Sequence, residues 1–287
     1  MADIEVEGWD AGVDYLRLTH AKNGESYDVA NRYARAVERI ARRVAPPGTR
    51  SEPWQWMGYR GERLHNVAWG QHDAGFIFQA TGLGAREASL LELPYTNCPR
   101  LDVQATFWLA ADDAGLASRV DEVVTSFKSR KKGRPVSNRL VSTHGDGDTA
   151  YVGVRGKKSK FLRCYDKWRE SKYEEGYRHA WRYEAELTDD HARLCLSKLE
   201  ALPKTPQSVL SVVAGYYGER GVSLPETGDC APISPEALPR DEGSDERRLR
   251  WLRTQVRPTV EKMLARGIPY WEILEALGVN QGPRKML

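Results

Sequence analysis

One order of elements occurs twice along this chain, and that repetition constrains the fold more than any single motif. Val13 to Thr19 alternates apolar and polar residues as a strand does, and Tyr27 to Val44 sets Val29, Tyr33, Val37, Ile40 and Val44 at helical spacing. Trp54 to Arg60, Arg63 to Gly70 and Gly75 to Thr81 then read as short strands with Gly-containing turns, followed by a short helix from Ala85 to Leu93. The series starts again with a strand from Arg100 to Leu109 and a helix from Asp113 to Arg130. Strands near Arg139 to Thr143, Thr149 to Arg155, Lys160 to Trp168 and His179 to Leu187 complete it. Two such halves predict an α+β fold of duplicated β-α-β-β units, with antiparallel-rich sheets covered on one face by helices.

The expected domains are an N-terminal half over residues 1–96, a second half over 97–220, a linker over 221–245 and a C-terminal helical element over 246–287. The linker is rich in Pro, Gly and acidic residues. The tail carries Leu249, Leu252, Val256, Val260, Met263 and Leu264 as one apolar stripe.

Several function classes are disfavoured at this level. No apolar run approaches the roughly 18 to 20 residues that span a bilayer, and the N-terminus is acidic, so a soluble cytoplasmic protein is expected. Cys98, Cys164, Cys195 and Cys230 are far apart, with neither C-x-x-C nor paired His spacing, which argues against a zinc site or a disulfide framework. No His-x-x-Arg element leads to a helical tyrosine near the C-terminus, which argues against a tyrosine recombinase.

The net charge is only +3, but it is unevenly spread. Between Lys128 and Arg169 thirteen Lys or Arg stand against three Asp, a local excess of +10. Such a concentration suits a surface that meets phosphates. Arg155, Lys157, Lys158 and Lys160 in a turn-like loop, with Arg130, Lys131 and Lys132 before it, are the candidate DNA-binding residues. Trp54, Trp56, Trp108, Trp168 and Trp181 are candidates either for stacking on unpaired bases or for core packing.

The chemistry-bearing residues lie on three strand patterns. In the stretch from Phe161 to Lys167, period-2 alternation places Phe161, Arg163, Tyr165 and Lys167 on one face, so two cations flank a phenol. A phenol titrates near 10 and needs nearby cations or a metal to stabilise its phenoxide, a role open to Arg163 and Lys167. On the next strand Arg182, Glu184 and Glu186 share a face, and on the strand from Arg100 the face is shared by Asp102, Gln104 and Thr106. Oxygen ligands of this kind suit Mg²⁺ or Mn²⁺. The same carboxylates are equally able to pair with arginines such as Arg100 or Arg182.

These pieces resemble the replication initiation factor family of plasmid and phage rolling-circle initiators, to which relaxases of some integrative elements are related. The resemblance rests on VDYLRLT, GFIFQATGLGARE, RLDVQATF, DTAYVGVRGKKSKFLRCYDKWRE and HAWRYEAEL, in that order over roughly residues 12 to 200. It implies metal-dependent nicking and joining of one DNA strand, in which Tyr165 forms a 5′-phosphotyrosine, and it implies that Asp102 and Glu184 belong to the metal site. Thr106 stands where a second acidic residue is often found in the family, so Gln104 and Glu186 both remain candidates to complete the coordination. The partners implied are an origin with a single-stranded or hairpin segment and a host helicase, with the protein as a monomer or dimer. A relaxase of a conjugative or integrative element, or a non-catalytic DNA-binding protein, are the competing readings.

Overall fold

The computed structural model describes residues 5–21, 27–73, 75–90, 97–126, 138–143, 147–156, 159–225, 231–233 and 257–276. The chain divides into two compact units, residues 1–236 and 237–287. In the first unit the N-terminal half comprises β1 (Val6–Ala21), α1 (Tyr27–Val44), β2 (Glu52–Trp56), β3 (Tyr59–Leu64), β4 (Val67–His72), β5 (Gly75–Thr81) and α2 (Gly82–Ser89). The second half repeats this series with β6 (Asn97–Leu109), α3 (Leu116–Ser126), β7 (Asn138–Thr143), β8 (Gly147–Val152) and β9 (Lys160–Asp166). The short α4 (Lys167–Glu170), β10 (Ala180–Thr188) and α5 (Asp190–Ala201) close that half, and α6 (Pro206–Gly218) follows it. In the second unit the described helices are α7 (Arg257–Ala265) and α8 (Tyr270–Ala276).

The ten described strands form one sheet in the order β2-β3-β4-β5-β1-β6-β10-β9-β8-β7, antiparallel throughout. In each half the last strand of the meander returns beside the first, and the two first strands, β1 and β6, pair with each other. The α+β class with duplicated halves is therefore the one observed, with four strands after each helix where a β-α-β-β unit has two. The extra strand of the N-terminal half arises from two tight turns. Met57 and Gly58 both take positive φ (45° and 86°), as does His65 (55°), and these reversals divide what alternation alone joins into Trp54–Arg60 and Arg63–Gly70.

Alternation decides which face the helices cover. Leu101, Val103, Ala105 and Phe107 of β6, Tyr183, Ala185 and Leu187 of β10, and Leu162 and Cys164 of β9 join Leu16 and Leu18 of β1 in one buried cluster, with Ala192 and Cys195 of α5 and Leu210, Val213 and Tyr217 of α6. Each large side chain in it contributes roughly 1.5–3 kcal/mol by leaving water. Tyr183 links its layers, meeting Phe107 edge-on at 5.6 Å and Tyr217 edge-on at 5.1 Å. A register shift between Val13 and Tyr15 lets Val13 and Leu16, three residues apart, both face this cluster, and it brings Tyr15 opposite Asp102 on the other face.

Among the described residues of the first unit no such helical layer covers the other face, and in the N-terminal half that face curls. Arg17 of β1 lies 4.2 Å from the ring centre of Trp56 of β2, although three strands separate β1 from β2 in the sheet. In a flat sheet they would be about 19 Å apart, so the β2–β3 hairpin folds back over the open face. Gly61 and Gly70, directly opposed on β3 and β4, permit the bend: a Cβ on Gly61 would stand 2.0 Å from the carbonyl oxygen of Trp69.

Among the described residues no helix is long and apolar enough to cross a membrane.

Candidate active site

The open face of the second half is a grid of polar side chains set by strand register. On β10, Arg182, Glu184 and Glu186 stand opposite Thr106, Gln104 and Asp102 of β6 on one side, and opposite Tyr165, Arg163 and Phe161 of β9 on the other. Opposed residues of an antiparallel pair project to the same face, so these eight polar groups meet there. Tyr165 is 7% exposed, yet it lies outside the helix-side hydrophobic cluster. Its hydroxyl is 3.3 Å from Glu184 Oε2.

The buried charges are matched. Arg163 donates to Glu184 Oε1 and has its guanidinium 5.6 Å from the Tyr165 ring centre. Arg100 holds both oxygens of Asp102 (3.0 and 2.6 Å) and reaches Glu186 Oε2 at 3.1 Å, which also meets Arg155 at 2.8 Å. Arg182 donates to Thr106 Oγ1 (3.0 Å), Thr106 donates to Gln104 Oε1 (2.7 Å), and Arg182 lies 3.6 Å from Asp14. A carboxylate removed from water requires such partners.

From the helix side, the Tyr217 hydroxyl donates to the main-chain carbonyl of Arg163 and accepts from the amide of Glu184 at 3.2 Å. It thereby ties α6 to the two strands under the phenol.

Burial, with the added repulsion of Glu184, raises the Tyr165 phenol above its ordinary value despite Arg182 and Arg163. Burial also lifts the Asp102 carboxyl, and Glu184 and Glu186 add to the effect, so that against the pull of Arg100 it reaches about 7.

Other candidates are placed differently. β9 ends at Asp166, whose Oδ1 caps α4 by accepting from the Arg169 amide at 3.0 Å, so Lys167 begins a helix instead of continuing the alternation. Its ammonium pairs with Glu170 at 2.5 Å and lies 5.2 Å from the Tyr177 ring centre. Lys160 has the parity of Leu162 and Cys164, and it turns to the helix side, where it meets Glu219 at 2.9 Å. Arg130, Lys131, Lys132, Lys157 and Lys158 lie outside the described residues. The alternation located the acidic comb, but it gave no sign of the Tyr217 hydroxyl, which reaches the site through the backbone.

The phenol of the RCYDK strand thus lies beside a carboxylate of the HAWRYEAEL strand, two of the pieces on which the resemblance rests. Residues 112–219 match the family model of the replication initiation factor. The span matched to the replication initiation factor family contains Arg163, Tyr165, Glu184, Glu186 and Tyr217, while Asp102 and Gln104 precede it. A solved structure of a rolling circle replication initiator protein from Geobacillus stearothermophilus is similar at 19% identity, covering 71% of this chain and 83% of that one, with a TM-score of 0.49. No curated protein matches.

The metal implied by the replication initiation factor resemblance has a donor set of the right chemistry. Among the described residues no three His, Cys, Asp or Glu side chains converge on one point, because Arg100, Arg155 and Arg163 each draw a carboxylate to themselves. Three carboxylates, an amide oxygen and a hydroxyl nevertheless share one face, an all-oxygen set suited to a hard divalent cation. Burial, with Glu184 and Glu186 adding to it, lifts the Asp102 carboxyl, and a bound cation would offset both effects.

Proposed function

We propose that the chain is a rolling-circle replication initiator and that the open face of its second half is the nicking site, with Tyr165 as nucleophile. The observation that carries this is the Tyr165 hydroxyl within 3.3 Å of Glu184 on a face lined by Arg163 and Arg182. A phenol whose proton is held tightly needs an acceptor at the moment of attack, and Glu184 is in place to be that base. The Tyr165 oxygen bonds to phosphorus, the phosphorus bond to the 3′ oxygen breaks, and the leaving 3′ oxygen takes a proton to become a free hydroxyl that primes synthesis. Arg163 and Arg182 neutralise the phosphoryl oxygens as charge gathers on them. The bond energy stays in the 5′-phosphotyrosine, so a later hydroxyl reverses the step and reseals the strand.

Asp102 and Glu186, with Gln104 beside them, would hold Mg²⁺ or Mn²⁺; Glu184, which the resemblance also puts in the metal set, is given the proton-accepting role here because Arg163 and the Tyr165 hydroxyl take its two oxygens. When bound, the ion supplies positive charge to the phosphoryl oxygens. Arg100 and Arg155, which hold these carboxylates here, would then be free to meet DNA phosphates. A host helicase is the partner expected to unwind the nicked duplex.

The test is incubation of the full chain with the origin DNA of its own element and Mn²⁺, followed by a denaturing gel and mapping of the nucleotide-bearing residue. A covalent adduct on Tyr165 that disappears in Tyr165→Phe supports the reading. Nicking by Tyr165→Phe overturns it, and binding without any adduct favours a non-catalytic DNA-binding protein. Finding the gene beside a transfer region instead of a replication origin assigns the same chemistry to a relaxase.

A further inference from the structure

The two halves share one architecture and one continuous open face, but they line it with different chemistry. Across the β1–β6 seam Tyr15 is opposite Asp102 and Arg17 is opposite Arg100. Outward from β1, Arg17 is opposite Gln79 of β5, Gln79 opposite Ala68 of β4, and Ala68 opposite Arg63 of β3. The two strands inward of β4 thus carry Tyr15, Arg17 and Gln79 where β6 and β10 carry their carboxylates. Glu52, opposite Arg63 on β2, lies at the sheet's outer strand.

The curled hairpin gives this face an inner surface on which aromatic rings and guanidiniums alternate, with Arg17 also donating to the Tyr15 hydroxyl. The Arg17 guanidinium lies 4.2 Å from the ring centre of Trp56 and 5.4 Å from that of Tyr15, and the Arg100 guanidinium lies 4.4 Å from Tyr15. Trp56, Arg17, Tyr15 and Arg100 therefore make a ladder of aromatic ring and guanidinium that ends at the carboxylate of Asp102. Trp56, Arg17 and Tyr15 are each partly exposed. Ala68 and Ile77 are buried on this face although neither belongs to the helix-side core, so the trough has an apolar floor. Beside the ladder is a cavity of about 320 Å³ edged by Arg63, His65, Asn66, Gln79 and Thr81, and Gln79 accepts from Arg17 at 3.1 Å.

Bases of an unpaired strand stack on aromatic and guanidinium planes while cations follow the phosphates. Duplex DNA hides its base faces and has no use for such a ladder. We infer that the trough of the N-terminal half holds the unpaired DNA strand flanking the scissile phosphate, its bases stacking along Trp56, Arg17 and Tyr15 and one base edge entering the cavity between Arg63 and Gln79. The inference rests on the reading of Tyr165 as the nicking residue, because the ladder leads to that site through Arg100. Continuity with the site and positive charge single out nucleic acid as the occupant.

The test uses the full chain with a fluorescein-labelled oligodeoxythymidylate of about 16 nucleotides and a duplex of the same length, read by anisotropy. Trp56→Ala and Arg17→Ala are expected to weaken single-strand binding about tenfold or more and to leave duplex binding within about twofold. Trp56→Phe, which keeps a ring, restores most of the affinity. In the wild-type chain, 5-iodouracil placed in the oligonucleotide crosslinks to Trp56 or Tyr15, a readout that does not depend on any variant folding. Unchanged single-strand affinity in both alanine variants, equal losses on single strand and duplex, or crosslinks confined to other regions would overturn the inference. Tyr165→Phe separates the two readings: if it still nicks, the assignment of Tyr165 fails while a loss of single-strand binding in Trp56→Ala stands.

Discussion

The Tyr165 hydroxyl and the Glu184 carboxylate face each other across adjacent strands at 3.3 Å, and Arg163 occupies the other oxygen of the same carboxylate. One oxygen is thus held and the other is left to the phenol. Glu184→Gln keeps the shape and removes the base. Single-turnover nicking of origin DNA is expected to fall about 10²- to 10⁴-fold, with DNA affinity little changed. The residual rate should climb with pH as the phenol ionises unaided, and a flat residual profile would remove Glu184 from the proton path.

Tyr217 acts on the same pair from behind the sheet. Replacing it with Phe keeps its edge contact with Tyr183 but leaves the Arg163 carbonyl and the Glu184 amide without their shared partner. A loss of about 1–3 kcal/mol in unfolding free energy is expected, together with a slower nicking step at unchanged DNA affinity. Urea denaturation and single-turnover rates measure the two effects separately. An unaltered rate in a destabilised protein would make Tyr217 merely structural.

Asp102 makes stability depend on pH in a stated direction. Its carboxyl titrates at about 7 in the folded chain and at about 3.9 when unfolded. Between those values the folded state keeps a proton that the unfolded state has lost, so the group's favourable contribution is fully present below about 4 and disappears as pH rises to about 7. In chelator, wild-type stability should therefore decline relative to Asp102→Asn across this window, by roughly 4 kcal/mol at most. Saturating Mn²⁺ should flatten that difference above neutrality. Chemical denaturation at stepped pH, with and without the ion, checks both statements.

Gly61 has no space for a side chain, since a Cβ there would approach the Trp69 carbonyl oxygen to 2.0 Å and backbone cannot yield as a flexible side chain does. Gly61→Ala is expected to cost about 2 kcal/mol or more and to open the β2–β3 hairpin. Hydrogen exchange localised to residues 52–64 would report the opening, and unchanged protection there would refute it.

Much of this arrangement was legible in the alternation of polar and apolar residues. Asp102, Gln104 and Thr106 on one strand, and Arg182, Glu184 and Glu186 on another, already shared faces in the sequence, and the antiparallel register then placed the two combs side by side. Period-2 parity says nothing, however, about where a strand stops. Lys167 has the parity of Tyr165, but the Asp166 side chain caps a helix at that point and ends the strand. Parity also misses the turns at Met57-Gly58 and His65-Asn66, because a single glycine and a single asparagine stand there inside stretches that alternate as one strand. Nor does it assign partners: Asp102 pairs with Arg100 two residues away on its own strand, whereas Glu184 takes its arginine, Arg163, from the neighbouring strand. The stacking of Trp56 on Arg17 depends on the curvature of four strands together, which no local pattern encodes.

The pairing of β1 with β6 carries a consequence for how the molecule can be divided. Each half contributes the strand that the other needs to close its inner border, and Leu16 and Val13 meet Leu101 and Val103 along that join. Cutting the chain between Ser89 and Asn97 would leave each fragment with a long, apolar, unpaired margin, of the kind that recruits foreign strands. Neither fragment is a portable module: the two similar halves are indivisible along this join.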